Sequence, residues 1–189
     1  LKMRFLAFVL FIGYLEFSRH LALSITDLPL VYWAIGILLG AYCADLISGL
    51  IHMYIDFGTS DRKNFIHKEL FLSRVHHHQL ERPAKLNYAS LWFSPALYSF
   101  IALALLPTLL VTILPPIANL NLLGPFWLSV LWFSSVSQVF HAFAHGKARH
   151  PLSKRVIKIL QKGRLMIPPK THGKHHSEID CNFSVLNGW

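Results

Sequence analysis

The sequence predicts an all-α, polytopic membrane protein with about four transmembrane helices and a His-rich, metal-binding cap on the cytoplasmic side. Three observations carry this expectation. The 189 residues are 53% hydrophobic and 14% charged, with a mean hydropathy of +0.43, whereas soluble domains carry about 25% charged residues. Three apolar stretches exceed the roughly 20 residues that a spanning helix needs, and a fourth, shorter one precedes them. Twelve histidines gather in spaced groups, mostly at the ends of those stretches.

The first stretch, Phe5 to Phe17, is the shortest and is closed by Glu16, Arg19 and His20. Lys2 and Arg4 before an apolar core also suit a signal peptide. An uncleaved first helix is the favoured expectation within residues 1–27. The second stretch, Leu28 to Ile55, carries Asp45 and His52 in its second half. The third, Leu91 to Leu114, holds Pro107 as an expected kink. The fourth, Leu122 to Ala144, runs into His141 and His145. In the tail, Leu152, Val156, Ile159 and Leu160 share one helical face, and Lys154, Arg155, Lys158 and Lys162 the other. Ser153 is the expected N-cap. A basic amphipathic helix beside a spanning helix reads as lying in the membrane interface, with a solvated basic helix as the alternative. Pro168 and Pro169 end any earlier helix, and Thr171 is the expected cap of a last one.

The formal charge is +9. Nucleic acid is not the expected partner, because the basic residues lie outside the apolar runs rather than among aromatic surface residues. If all four stretches span, the N-terminus, residues 56–90 and residues 145–189 share one side. Seventeen of the 18 Lys and Arg residues then lie there, and Arg19 alone lies opposite. The positive-inside rule makes that side cytoplasmic. The connection 115–121 has no charge. The same topology delivers every histidine group to the cytoplasmic face. Cys43 and Cys181 form no disulfide framework and no C-x-x-C motif.

The candidate metal ligands are His52; two of His76, His77 and His78; His141 and His145; and His172, His175 and His176. Rings spaced i,i+3 or i,i+4 share a helix face, and neutral imidazole is the commonest transition-metal ligand. Three consecutive rings cannot all point one way, so two ligands are expected from His76–His78. Asp45, Gly49, His52 and Asp56 form one stripe. Asp45 or Asp56 orients a ligating ring, Asp56 binds metal itself, or Asp45 serves a neighbouring helix. His20, His67 and His150 stand alone and read as structural. One zinc takes four ligands, whereas this set suits two metals. Nitrogen and carboxylate ligands around open positions are the kind of site iron uses for oxygen chemistry. At a membrane face, such a site can take hydrogen from a lipid chain.

These residues resemble the membrane lipid desaturases that include plasmanylethanolamine desaturase (the Kua and CarF type) and the plastid phosphatidylglycerol palmitate desaturase. The motif A-D-x-x-S-G-x-x-H-x-x-x-D is carried by Ala44, Asp45, Ser48, Gly49, His52 and Asp56, with Gly58 one residue closer than in some members. An H-H motif followed by proline corresponds to His76-His77-His78 with Pro83. Q-x-x-H-x-x-x-H is Gln138, His141 and His145, and P-x-x-H-x-x-H-H is Pro169, His172, His175 and His176. Asn182-Phe183-Ser184 and Gly188-Trp189 match a closing element. The triple histidine departs from the pattern, and Ser177–Cys181 lacks the further histidine of some members.

The resemblance covers residues 28–189 of what reads as a single domain, 1–189. It implies a multi-pass enzyme of the bacterial inner membrane, endoplasmic reticulum or plastid membrane. It also implies two iron ions, O2 as co-substrate and a cytochrome b5- or ferredoxin-like electron donor. The expected substrate is an intact phospholipid, with plasmanylethanolamine to plasmenylethanolamine favoured. The alternatives are a phosphatidylglycerol acyl desaturase, a lipid hydroxylase, or a non-catalytic metal-binding or transport protein. The chain opens on Leu1 and closes on Trp189, sooner than the resemblance leads us to expect, as a fragment does.

Overall fold

The computed structural model describes residues 2–25, 27–57, 88–102, 123–146, 151–178 and 181–188. Among them every regular element is an α-helix: α1 (Lys2–Ser24), α2 (Leu30–Phe57), α3 (Tyr88–Phe100), α4 (Gly124–Ala144), α5 (Pro151–Lys162) and α6 (Pro169–Ser177). The chain divides into two compact units. One is Leu1–Asp45 with Asn87–Val139, and the other is Leu46–Leu86 with Phe140–Trp189. Helices α2 and α4 contribute residues to both.

Two described helices are long and apolar enough to cross a membrane, over Arg4–Leu23 and Leu30–Tyr54. Few of their residues are buried, unlike those of the core helix of a soluble protein. Phe5, Phe8, Leu30 and Leu38 all point outward, as lipid-facing side chains do. The first helix is longer than the expected Phe5–Phe17. The Arg19 guanidinium donates to both Glu16 oxygens at 2.7 and 3.0 Å, and His20 stands 3.0 Å from the same carboxylate. An ion pair at i,i+3 and a polar partner at i,i+4 let the helix continue. Helix α4 follows the expected fourth stretch, but Ser129, Ser134, Ser135, Ser137 and Gln138 dilute its apolar character, and it is not among the candidate spans. The expected kink at Pro107 lies outside the described residues; Pro95 sits inside α3.

The first unit is built on aromatic packing and close helix approach. Tyr14 of α1 is fully buried, and its hydroxyl donates to the Ala96 carbonyl of α3 at 2.7 Å. Trp92 and Trp132 meet the Tyr14 ring edge-on, with centroids at 5.5 and 5.2 Å, the arrangement that aromatic quadrupoles favour. The Trp132 indole donates to Ser18 Oγ, and that of Trp92 to Ser135 Oγ. Gly36 and Gly40 form a G-x-x-x-G step on α2 facing the start of α4. A Cβ on Gly40 would lie 2.5 Å from the Phe126 carbonyl oxygen, and one on Gly36 2.8 Å from Pro125 Cβ. The bare backbones let Ser129 Oγ reach the Ile37 carbonyl at 2.7 Å, as small residues do between membrane helices.

In the second unit, Ile157 of α5 and Met166 form a buried pair covered by Phe140, Phe143 and Leu160. The apolar arc of α5 is therefore split. Ile157 and Leu160 turn inward, while Val156 and Ile159 point out beside the exposed Lys154, Arg155, Lys158 and Lys162. Two expected caps are corrected. Helix α5 starts at Pro151, so Ser153 lies within it. Helix α6 starts at Pro169, with Pro168 as N-cap and Thr171 inside. Proline suits the first helical position because its φ is preset and its missing N–H has no partner there anyway.

Candidate metal centre

Three helices supply the histidines. His52 lies near the end of α2, and His141 in the last turn of α4. His145 follows α4, yet its N–H still bonds the His141 carbonyl at 3.2 Å, which keeps both rings on one face. Gly146, at φ 69°, then breaks the helix in the left-handed conformation. In α6, the His172 N–H bonds the Pro168 carbonyl at 3.1 Å, setting the first turn. His172 and His176, four apart, share a face, and His175 is turned toward His52.

Four rings present Nε2 to one another. His145 Nε2 lies 3.2 Å from His141 Nε2 and 3.0 Å from His172 Nε2, and His176 Nε2 lies 3.0 Å from His172 Nε2. The ligand atoms of all four lie within 4.8 Å of one another. Metal–nitrogen bonds are about 2.1 Å, so donors at right angles around one ion stand about 3.0 Å apart and opposite donors about 4.2 Å. The three spacings of 3.0–3.2 Å fit neighbouring donors on one first-row ion, and His141, His145, His172 and His176, all within 4.8 Å, would draw in to share it. His141 and His172 are buried and the other two half-buried. Among the described residues no carboxylate joins this group.

His52 and His175 stand beside the four as a second pair, ring centroids 4.7 Å apart. The two residues are 4% and 2% exposed, so their polar atoms need protein partners. His52 Nδ1 lies 2.8 Å from the Phe183 carbonyl, and His175 Nδ1 lies 2.7 Å from the Cys181 carbonyl. The His52 ring is 5.2 Å from that of His141, and the His175 ring is 5.6 Å from that of His176.

Six expected ligands from three of the four histidine groups thus come together. His76, His77 and His78 lie outside the described residues, as do His67 and His150. Asp45 is buried on α2, two turns before His52; Asp56 lies in its last turn, with its side chain outside the described ones. His20 pairs with Glu16 on α1. The expected site did not include the Cys181 and Phe183 carbonyls, or Gln161. The Gln161 amide donates to the Phe143 carbonyl at 3.5 Å and the Ile167 carbonyl at 3.1 Å. It ties α5 to the end of α4 and the approach to α6. Its place on the inward face of α5, next to Leu160, was the available signal.

Comparison with known proteins adds one match. No curated protein and no solved structure matches the chain. A family model described as the lipid desaturase domain matches residues 41–189, a span that begins in α2 and takes in all six clustered histidines. By that match the chain belongs to the lipid desaturase domain family.

Proposed function

We propose that this protein is an O2-dependent membrane lipid desaturase with a histidine-ligated, non-haem di-iron centre. The reading rests on one observation above all: six imidazoles from three helices converge, four of them with ligand atoms within 4.8 Å, in a chain of the lipid desaturase family. One ion accounts for His141, His145, His172 and His176. His52 and His175, with two of His76–His78, supply the second. A bound di-iron centre would activate O2 as the oxidant: O2, two electrons from an external donor, two protons from solvent and two hydrogens from adjacent lipid carbons would end as two waters and one carbon–carbon double bond.

The chain's own residues hold the ions and place the lipid. All-imidazole ligation suits a borderline metal such as iron and leaves no thiolate to be oxidised. The proposed membrane arrangement has four crossings, with 17 of 18 basic residues on the cytoplasmic side. Basic residues there attract phosphate headgroups. Val156, Ile159 and Leu165 are exposed beside Lys158, Lys162 and Arg164, which suits α5 to the headgroup boundary. A site at that depth meets the first carbons of a lipid chain. The substrate is therefore an intact phospholipid desaturated near its glycerol, with plasmanylethanolamine to plasmenylethanolamine the favoured reaction. The electron donor is a cytochrome b5- or ferredoxin-like protein.

The test is expression in a host that makes no vinyl-ether lipid, fed with alkyl-ether phospholipid. Acid-labile aldehyde release supports the reading. New unsaturation in phosphatidylglycerol instead reassigns the lipid. An 18O-labelled hydroxyl formed under 18O2 makes the protein a hydroxylase. A folded protein that keeps stoichiometric zinc and is inactive with iron refutes the di-iron centre.

A further inference from the structure

The last described segment, 181–188, runs against the end of α2. The Val185 N–H donates to Ser48 Oγ at 3.4 Å. A Cβ on Gly49 would lie 3.1 Å from Ser184 Oγ and 3.3 Å from the Ser184 nitrogen. Gly49 thus leaves the groove in which Ser184 seats, one turn before His52. At its other end the segment is tied down by the Ile167 N–H, which donates to the Leu186 carbonyl at 2.6 Å. The segment is therefore anchored both to α2, which carries His52, and to Ile167, which precedes the N-cap of α6, the helix that carries His175.

Between these anchors the backbone turns. Asn182 has φ 57°, the left-handed region that asparagine enters more readily than most residues and β-branched residues rarely enter. In an extended strand, alternate carbonyls would stand roughly 6.8 Å apart. Here a turn residue separates the Cys181 and Phe183 carbonyls, and they meet two rings with centroids only 4.7 Å apart. The Phe183 ring packs edge-on against both imidazoles, at 4.8 Å from His175 and 6.2 Å from His52.

A carbonyl oxygen only accepts. Nδ1 of His52 and Nδ1 of His175 must therefore each carry the proton that bonds Phe183 and Cys181. A neutral ring protonated at Nδ1 keeps its lone pair on Nε2. We propose that the turn Cys181–Asn182–Phe183 is a positioning clamp that holds His52 and His175 as Nδ1–H tautomers, fixing Nε2 as the metal-binding atom of a ligand pair separate from the four-histidine group. The proposal rests on the metal-centre reading above. It extends that reading by assigning the orientation of two ligands to backbone groups 131 and 6 residues away in sequence. Such partners orient a ring and raise its basicity toward a metal.

The test has a metal-free arm and an iron arm, both on the full chain in lipid nanodiscs. In the first, 15N-histidine NMR of iron-free protein reads the tautomer of each ring, assigned by single His→Gln variants. The clamp requires His52 and His175 to be protonated at Nδ1 in the parent protein and in Asn182→Gly, which keeps the left-handed conformation accessible. Asn182→Val, which disfavours it, should move both rings toward a tautomer mixture and leave the other four unchanged. In the second arm, iron per chain is measured after loading with ferrous ion. Asn182→Val should lose about half of the iron held by the parent, and Asn182→Gly should retain it. Parent rings protonated at Nε2 overturn the clamp, whatever the variants do. Unchanged tautomers and iron content in a folded Asn182→Val protein also overturn it. A parent protein that shows both Nδ1–H tautomers but binds no iron upholds the clamp geometry and refutes the metal-centre reading, so the two failures are distinct.

Discussion

His145 and His172 lie 27 residues apart, one just past α4 and the other in α6, and their Nε2 atoms stand 3.0 Å apart. Two imidazole nitrogens at that distance share either a proton or an ion. His141 and His176 close on the same point from one turn away on each helix, so the arrangement is a cluster of four rings that could hold a metal ion rather than an isolated hydrogen bond.

His145→Ala or His172→Ala should remove the ion held by the four-histidine group. Loss of a partner that merely orients a ligand costs ~10–100-fold in affinity or activity, so loss of a ligand should exceed that. Iron per chain should fall by at least half and lipid turnover by more than ~100-fold. Elemental analysis and product analysis on the same preparation check both. Full iron retention in His172→Ala would remove this residue from the ligand set.

Chelation should lower thermal stability. A ligand present at 100 times its dissociation constant stabilises the folded state by about 2.7 kcal/mol. For a chain of this size that is roughly 5–10 °C in the unfolding midpoint. Midpoints measured with chelator, and again after ferrous ion is restored, should differ by that amount and recover. No shift in a protein shown to hold iron would mean that the cluster folds equally well without it.

Gly40 should tolerate no side chain. A Cβ there would lie 2.5 Å from the Phe126 carbonyl and 2.6 Å from Ser129 Cβ. Gly40→Val should cost about 1–3 kcal/mol through overpacking. On α1, a Cβ added to Gly13 would meet nothing within 4 Å. Gly13→Ala should therefore be neutral or stabilise by up to about 1 kcal/mol through helix propensity. Thermal unfolding in one detergent compares the two, and equal effects would contradict the close approach of α2 and α4.

Gln161→Ala should loosen the tie between the two main histidine helices. It removes an amide that serves the Phe143 and Ile167 carbonyls, at a cost of about 1–2 kcal/mol. The iron dissociation rate should rise while the ligand set stays intact. Gln161→Glu keeps an acceptor but loses the donor, so it should behave like Ala. A Glu variant that matches the parent would show that the amide protons are not what matters.

Accessibility tags should place the N-terminus, Lys68 and Lys158 on the cytoplasmic side and Asn119 on the other. Labelling of Lys68 and Lys158 from opposite sides would mean that His76–His78 and the tail histidines cannot share a site.

The helical class, the apolar stretches and the histidine groups are all legible in the chain's residues alone. Spacing along a helix is covalent: residues three or four apart share a face whatever surrounds them. That is why His141 with His145, and His172 with His176, read as ligand pairs from spacing alone. Composition likewise marks α2 as a candidate span, because its apolar character does not depend on a neighbour. Packing in three dimensions set the rest. It carried α1 past Glu16, through an ion pair that a hydropathy reading counts only as charge. It turned Ile157 inward and left Ile159 outside, because α5 packs on Phe140 and Phe143 along one side of its apolar arc. It made Gly36 and Gly40 a helix contact, since a missing side chain has meaning only opposite a neighbour. Above all, it set which nitrogen of His52 and His175 bonds the backbone. Each residue carries a carbonyl, so no letter in the sequence marks those of Cys181 and Phe183. Only the packing of 181–188 against Ser48 and Gly49 brings them to the two imidazoles.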